Sequence, residues 1–299
     1  MKSVATIIAG PKFNLNQLEA DQIIDAMQHN GGIVENIQWL SPNRALDIHC
    51  AVLDVEEVRE LLSALLQPVD VDFVVQEDST TRRKKLLISD MDSTIIEQEC
   101  IDELADMLGI KPQISAITEK AMNGELDFKA ALRERVGLLA GLPETDLQKA
   151  YDTRITYSKG ARELVATMKA NGAKCVLVSG GFTFFTSRVR EHVGFDVDEA
   201  NILEIANGKL SGKVREPILD ATSKLNALKF YCDELGIYQS MALAVGDGAN
   251  DLPMIKAAGT GIAYHAKEKV KREAEHKIDI PNLRSLLYAQ GYKDSEIID

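Results

Sequence analysis

The sequence predicts an α/β fold in two parts, a small α+β domain and a larger domain with a parallel sheet. In the first part, strand and helix patterns follow each other in the order βαββαβ. In the second part, short apolar runs typical of fully buried strands alternate with helical stretches. A charged segment at 78–85 lacks apolar periodicity and is expected to link a domain at 1–77 to a domain at 86–299.

The elements of the first part are read from periodicity and turn residues. Four strands are predicted, at 3–9, 33–40, 44–52 and 69–75. Two helices are predicted between them, one at 16–29 that stops at Gly31-Gly32 and one capped by Asp54. This order is that of a ferredoxin-like sandwich. Its order and length resemble the ACT domain, an amino-acid-sensing module of biosynthetic enzymes.

The first turn of this domain departs from the ACT pattern. Ligand-binding ACT domains usually carry a D-x-P-G-like turn after the first strand, whereas this chain has Gly10-Pro11-Lys12-Phe13-Asn14. Two roles therefore stay open for the domain. It could bind serine, or it could serve as a structural or dimerising unit in a homodimer.

The second part is predicted as a Rossmann-like parallel sheet. The apolar runs at 85–89, 174–178 and 241–245 each end in Ser, Gly or Asp, and helical stretches lie at 161–171 and 223–235. Helices between parallel strands cover both faces of a sheet, and the ligand site of such sheets lies at the carboxyl ends of the strands. All the polar clusters described below fall at that edge.

Between about 100 and 157 the sequence has helical periodicity and no strand pattern. A helical cap inserted over the site is the simplest interpretation. Further on, Asn207-Gly208 between short alternating runs predicts a hairpin.

Composition excludes several classes of function. The chain has 46 acidic and 34 basic residues, a net charge of −12, which argues against binding nucleic acid or anionic membranes. No apolar run approaches the roughly 18 residues that span a bilayer, and the N-terminus lacks a secretory pattern. The four cysteines form no C-x-x-C pair. A cytoplasmic protein is expected.

The strongest chemical signal is Asp90-Met91-Asp92-Ser93-Thr94, directly after a buried strand. One carboxylate of such a pair can attack an electrophile while the other handles a proton. A capped turn or a calcium loop are alternatives. An EF-hand loop starting at Asp90 needs a Glu at position 12, where this chain has Ile101.

Two further clusters follow the next strands. Ser179-Gly180-Gly181 offers a hydroxyl and backbone N–H groups to an anion, or is an ordinary glycine turn. In the segment 245–251, VGDGAND, Asp247 suits a hard cation such as Mg²⁺, with a solvated turn as the alternative. Lys224, taken alone, is expected to be a surface charge.

In this order, the four motifs resemble those of the haloacid dehalogenase superfamily over residues 85 to about 265. A plain dehalogenase has no need of Asp92, because a halide leaving group takes no proton, so Asp92 favours phosphoryl transfer. The P-type ATPases of the superfamily carry D-K-T-G-T at the first motif, which this chain lacks.

Within the superfamily the chain resembles the phosphoserine phosphatases. The similar stretches are DMDSTIIEQECIDELAD at 90–106, a cap segment F-x₆-R-V from Phe128 to Val136, VSGGF at 178–182 and VGDGANDLPM at 245–254. The family's substrate-binding Glu and Arg map to Glu99 and Arg135. A carboxylate can hold an α-ammonium group and an Arg fork can hold an α-carboxylate.

The resemblance implies the roles of the site residues. Asp90 would be the nucleophile and Asp92 the general acid and base, with Mg²⁺ held by Asp90, the backbone carbonyl of Asp92 and Asp247. The implied substrate-binding residues are Glu99, Phe128, Arg135, Ser179, Gly180, Lys224 and Asn250, and Asp251 would support them.

The implied reaction is hydrolysis of O-phosphoserine to serine, the last step of serine biosynthesis. Two alternatives stay open. The first is a related enzyme that acts on another small phosphorylated metabolite, such as phosphohomoserine or phosphothreonine. The second is an amino-acid-sensing regulator with an inactive phosphatase unit, against which the intact Asp90, Asp92, Lys224 and Asp247 argue.

Overall fold

The computed structural model describes residues 2–66, 69–122 and 126–299. These residues form a four-stranded antiparallel sheet, a six-stranded parallel sheet and a two-stranded hairpin. The predicted fold class is confirmed: a parallel-sheet α/β core with a helical insertion follows a small α+β unit. No helix in the described ranges has the length and apolar character needed to cross a membrane.

The N-terminal unit follows the predicted βαββαβ order. Its elements are β1 (Lys2–Ala9), α1 (Gln17–His29), β2 (Ile33–Ser41), β3 (Ala45–Ala51), α2 (Val55–Leu66) and β4 (Val71–Glu77), and its sheet order is β2-β3-β1-β4. Asn16 caps α1 by accepting the backbone N–H groups of Leu18 and Glu19. Apolar residues of both helices pack on the sheet and form a separate core.

The second unit contains the parallel sheet, with strand order β12-β11-β10-β5-β6-β7. Its strands are β5 (Leu86–Ser89), β6 (Lys174–Phe182), β7 (Val197–Asn201), β10 (Ala242–Gly246), β11 (Thr260–Tyr264) and β12 (His276–Ile278). The helices around them are α7 (Ala161–Ala170), α8 (Thr183–Val193), α9 (Ala221–Leu235), α10 (Leu252–Ala257), α11 (Glu268–Glu273) and α12 (Ser285–Ala289). Every residue of β5 and β10 is buried, which explains their uninterrupted apolar runs.

The insertion between β5 and β6 is helical, as predicted. It comprises α3 (Cys100–Met107), α4 (Lys111–Met122), α5 (Phe128–Leu138) and α6 (Glu144–Arg154). The chain enters and leaves it side by side, because Ile96 bridges Tyr157 in antiparallel fashion. The predicted hairpin is present as β8 (Leu203–Ala206) and β9 (Lys209–Val214), with positive φ at both Asn207 and Gly208.

The segment 78–85 is packed more tightly than its composition suggests. The guanidinium of Arg82, only 10% exposed, donates to both carboxylate oxygens of Asp47 in β3, at 2.6 and 2.7 Å. It also donates to the carbonyl of Ala289 in α12 at 3.0 Å. Lys84 is buried and donates to the carbonyl of Ser240. These contacts fix the antiparallel sheet against the parallel-sheet unit.

Candidate active site

A buried lysine lies between two carboxylates at the carboxyl edge of the parallel sheet. Lys224, in the first turns of α9, places Nζ 2.7 Å from Oδ1 of Asp90 and 2.6 Å from Oδ1 of Asp251. Asp90 follows β5 directly, and Asp251 precedes α10. The side chain of Lys224 is 2% exposed. A residue that looks like a surface charge in the sequence is therefore the cation of a buried ionic cluster.

Three carboxylates converge at this point. Oxygens of Asp90, Asp247 and Asp251 lie within 4.8 Å of one another. Burial raises the pKa of Asp90 well above its usual value and raises the pKa of Asp247 to about 7. The negative charge of Asp251 is the second cause for both residues. Three carboxylates against one buried ammonium group leave uncompensated negative charge, which favours a bound hard cation.

Asp92 faces a different set of partners. Its Oδ1 accepts the backbone N–H of Cys100 at 2.9 Å, and its Oδ2 accepts the hydroxyl of Ser179 at 3.3 Å. Burial raises the pKa of Asp92, which favours a carboxyl group that can hold a proton. A Cβ atom at Gly181 would lie 2.7 Å from Oδ2 of Asp92, so the end of β6 has no room for a larger residue here.

The cap contributes Phe128 to the same site. A Cβ atom on Gly180 would lie 3.3 Å from Cζ of Phe128 and 3.9 Å from Nδ2 of Asn250. The two glycines at the end of β6 are thus covered by an aromatic ring from α5 and flanked by the amide of Asn250. Among the described residues, Lys224 is held by Asp251, and Asn250 makes no hydrogen bond to it.

Glu99 and Arg135 lie on the cap side of the site. Glu99, at the start of α3, accepts the hydroxyl of Ser93 at 2.7 Å. Burial and the charge of Asp92 raise the pKa of Glu99 to about 7. Burial lowers the pKa of Arg135, while the charges of Glu99 and Asp102 act to raise it. Arg135 thus lies within range of the charge of Glu99, and Glu99 within range of the charge of Asp92.

The structure adds residues that the sequence analysis did not select. Ser93 orients Glu99 from a backbone with φ of +53°. Asn201 donates from Nδ2 to the carbonyl of Gly180 at 2.8 Å and accepts the N–H of Leu219 at 2.8 Å. Asn201 is the last residue of β7. Polar residues at the carboxyl ends of parallel strands usually contribute to the site, so its position could have predicted this role. Lys267 lies with Nζ 4.0 Å from the carboxylate of Asp247, and no feature of the sequence around it indicated a place in the site.

Comparison with known proteins defines the class. The family model of haloacid dehalogenase-like hydrolases matches residues 87–256, more than half of the chain. The chain belongs to this family.

Several similar proteins point further, within this family, to the phosphoserine phosphatases. The chain is 45% identical over 234 residues to a phosphoserine phosphatase of Archaeoglobus fulgidus, covering 78% of this chain and 68% of the relative. A crystal structure of a HAD family hydrolase from Salmonella enterica serovar Typhi is 31% identical, with a TM-score of 0.82 over 96% of this chain and 98% of that one. A structure described as a phospho-aspartyl intermediate analogue of phosphoserine phosphatase is 39% identical, with a TM-score of 0.64 over 69% of this chain and 98% of that one.

Proposed function

We propose that this phosphatase hydrolyses O-phospho-L-serine to L-serine and phosphate through an aspartyl phosphate on Asp90. One observation carries the proposal: Asp90 is held by Lys224 while Asp92, two residues later, is held by Ser179. The pair thus combines a nucleophile beside a buried cation with a carboxyl group beside a hydroxyl. The related structure with a phospho-aspartyl analogue supports the same intermediate.

The two oxygens of Asp90 have different surroundings. Oδ1 accepts the N–H of Met91 and contacts Lys224, both at 2.7 Å. Oδ2 has no hydrogen-bond donor among the described residues, so it is free to attack phosphorus. Attack forms the O–P bond and breaks the P–O bond to the serine oxygen, which takes its proton from Asp92. Water then attacks phosphorus, Asp92 takes the water's proton, and Asp90 is restored.

The phosphoryl oxygens need cationic and N–H partners as charge shifts during transfer. Lys224 supplies a buried ammonium group, Ser179 a hydroxyl group and Gly180 a backbone N–H. Asp251 holds Lys224 in place. Phe128 covers Gly180 at the end of β6 and limits the access of bulk water to the acyl phosphate.

The free groups of the site fit a magnesium ion. Within the described ranges, the backbone carbonyl of Asp92 and the carboxylate of Asp247 make no hydrogen bonds, and Asp90 adds the carboxylate oxygen that does not attack phosphorus; all three groups are oxygen ligands. These three groups would hold Mg²⁺. When bound, the ion supplies positive charge against the phosphoryl oxygens and compensates the carboxylate cluster.

Selectivity for phosphoserine is assigned to Glu99 and Arg135. The carboxylate of Glu99 would bind the α-ammonium group, and the guanidinium of Arg135 would bind the α-carboxylate. The charge of Asp92 acts on Glu99 and the charge of Glu99 acts on Arg135, and this proximity to the catalytic pair supports the assignment.

Phosphate release with and without Mg²⁺ tests the reaction. O-phosphoserine, phosphothreonine, phosphohomoserine and p-nitrophenyl phosphate are compared, with EDTA as the metal-free arm. We expect phosphoserine to be preferred and chelation to abolish release. Asp90→Asn should remove both turnover and acid-stable labelled phosphoenzyme, while Asp233→Asn, at an exposed position of α9, should keep both. Normal hydrolysis by Asp90→Asn would refute the mechanism.

A second pair of variants tests substrate binding. Arg135→Met should raise KM for phosphoserine with little change in KM for p-nitrophenyl phosphate, which lacks the α-carboxylate. Arg133→Met is the matched control, because Arg133 lies on the same helix and pairs at the surface with Glu216. An equal rise in KM for both substrates in Arg135→Met would refute the proposed contact between Arg135 and the α-carboxylate.

We also propose that residues 1–77 are an ACT-like domain, that 78–85 link it to the domain at 86–299, and that the cap spans about 100–157. A Cβ atom on Gly10 would clash with Ile280 and Asp70, so the first turn is packed against the parallel-sheet unit. This packing supports a structural role over serine binding.

A homodimer and a place in cytoplasmic serine biosynthesis are part of the same proposal. The four free, buried cysteines agree with a reducing compartment.

A further inference from the structure

The buried amide of Asn201, at the end of β7, lies beside an irregularity in β6. Asn201 is 1% exposed. In the sheet, Val178 of β6 pairs with Glu199 of β7, and Phe182 pairs with Asn201. Residues 179–181 of β6 thus lie opposite a single residue of β7, so β6 forms a bulge at this point. The bulge contains the serine and the two glycines assigned above to phosphoryl binding.

Two side chains hold the peptide group between Gly180 and Gly181. Nδ2 of Asn201 donates to the carbonyl of Gly180 at 2.8 Å. The N–H of the same peptide group, which belongs to Gly181, donates to Oγ of Ser179 at 2.8 Å. That hydroxyl in turn donates to Oδ2 of Asp92 at 3.3 Å. The orientation of this peptide group therefore affects how the hydroxyl of Ser179 faces Asp92.

The other side of the amide binds the segment that leads into α9. Oδ1 of Asn201 accepts the N–H of Leu219 at 2.8 Å, and Nδ2 lies 3.5 Å from the carbonyl of Leu219. The next residue, Asp220, caps α9, and its carbonyl accepts the N–H of Lys224 at 3.2 Å. One buried amide thus connects the bulge that carries Ser179 with the first turn of the helix that carries Lys224.

Both polar atoms of this amide are used. Oδ1 faces an N–H group and Nδ2 faces carbonyl oxygens, so the partners determine the orientation of the side chain. A carboxylate at position 201 could accept from Leu219 but could not donate to Gly180, and an apolar side chain could do neither. Because the amide is buried, loss of a partner leaves a backbone group unpaired.

We propose that Asn201 is a positioning residue for phosphoryl transfer, which holds the bulge of β6 and the start of α9 at a fixed separation. Ser179, Gly180 and Lys224 can then bind oxygens of the same phosphoryl group. The inference rests on the proposed function. Phosphoryl transfer depends mainly on positioning and on stabilisation of charge, and a displacement of about 1 Å can lower such a rate about 100-fold.

A purely structural role is the alternative. Residues 202–219 leave the sheet and return to it at this amide, and the N–H of Arg215 donates to the carbonyl of Ile202 at 2.9 Å. Asn201 could therefore do no more than close the base of the hairpin β8–β9. Its bond to Gly180 lies outside that hairpin, so a variant that loses this bond alone distinguishes the two roles.

Two variants of the full chain make this distinction. Asn201→Asp keeps the acceptor for Leu219 and loses the donor to Gly180, whereas Asn201→Leu loses both. With Mg²⁺ present, both should lower kcat for phosphoserine at least tenfold and change KM less than threefold, because the amino-acid part of the substrate is assigned to Glu99 and Arg135. The kcat for p-nitrophenyl phosphate should fall by a similar factor, because the defect lies at the phosphoryl group.

Inhibition by orthovanadate gives a second readout. Bound vanadate resembles the five-coordinate phosphorus of the transfer step, so its inhibition constant should rise at least tenfold in both variants. Normal kcat and normal vanadate inhibition in Asn201→Asp, with low kcat in Asn201→Leu, would assign Asn201 to the hairpin alone and overturn the proposal. A rise in KM at unchanged kcat would also overturn it.

Thr186→Val is the matched control. Thr186 is buried in α8 and donates to Oδ2 of Asp198 in β7 at 2.6 Å, so this change also removes a buried hydrogen bond to β7. It should lower Tm and leave kcat and the vanadate inhibition constant within twofold of wild type. All rates are measured well below the Tm of the least stable variant. An equal fall in kcat in Thr186→Val would show that the general stability of β7 controls the rate, and would refute the positioning role.

The wild-type rate separates this inference from the proposed function. If the wild type hydrolysed none of the phosphate esters, the proposed function would be refuted, and the positioning role with it. If the wild type were active and Asn201→Asp had the same kcat and vanadate inhibition, only the positioning role would be refuted.

Discussion

Replacing the buried ammonium group at the centre of the site should destabilise the whole protein. In Lys224→Met the side chain keeps its length and apolar stem but loses its charge. Three buried carboxylates, Asp90, Asp247 and Asp251, then remain without their internal cation. The expected result is a large loss of thermal stability at neutral pH in the absence of metal.

The size of the effect follows from two short contacts. At 2.7 Å and an effective dielectric constant of about 20, Coulomb attraction is about 6 kcal/mol per pair. Desolvation of the ions offsets much of this. Removal of one partner from a buried pair usually costs about 3–5 kcal/mol. For a unit of this size, such a loss lowers Tm by about 6–20 °C.

The pH dependence gives a second test of the same reasoning. The pKa of Asp90 is raised well above the unfolded value, so its ionised form destabilises the folded state at neutral pH. Without Lys224 this penalty grows. At pH 5 Asp90 and Asp247, whose pKa values are raised, take up protons, and the difference in Tm between variant and wild type should shrink.

The assay is thermal unfolding followed by circular dichroism at pH 7.5 and pH 5 with EDTA present. Lys229→Met is the matched control, because Lys229 lies on the same helix at an exposed position. It should shift Tm by less than 2 °C, close to the ±0.5 kcal/mol usual for surface changes. If Lys224→Met shifted Tm no more than this control, the ionic cluster would not stabilise the fold, and the reasoning would fail.

Three further outcomes are expected. Gly181→Ala should lower kcat at least tenfold, because the new Cβ meets Asp92 at 2.7 Å. Gly137→Ala is the control and should keep full activity, because a Cβ there has no atom within 4 Å. Equal kcat values for the two variants would contradict the close packing at Gly181. Glu99 has a pKa of about 7 and loses its charge as the pH falls. Below pH 7, kcat/KM should therefore drop more steeply for phosphoserine than for O-phospholactate, which lacks the ammonium group. Parallel pH profiles for the two substrates would exclude Glu99 as the partner of the ammonium group. Arg82→Met should lower the free energy of unfolding by about 3–5 kcal/mol, and calorimetry should then show separate transitions for the two units. A single transition at the wild-type temperature would count against the interface.

Local patterns in the chain predicted most of the secondary structure. The capping residue Asn16, the Asn207-Gly208 turn and the apolar runs of β5 and β10 each specify their element through neighbours a few residues away. Ser179 and Asp247 were predicted at the site because parallel strands end at a common edge. The resemblance to a known family, and not periodicity, selected Glu99 and Arg135 from many similar residues of charged helices.

Tertiary packing decided the environment of the charged side chains. Lys224 and Arg82 have the same local signal as any surface cation. Yet distant elements bury Lys224 and leave only 10% of the Arg82 side chain exposed, as in the pair of Arg82 with Asp47, 35 residues earlier. Whether a long cation is buried depends on which carboxylates meet it, and a short sequence window contains no such information.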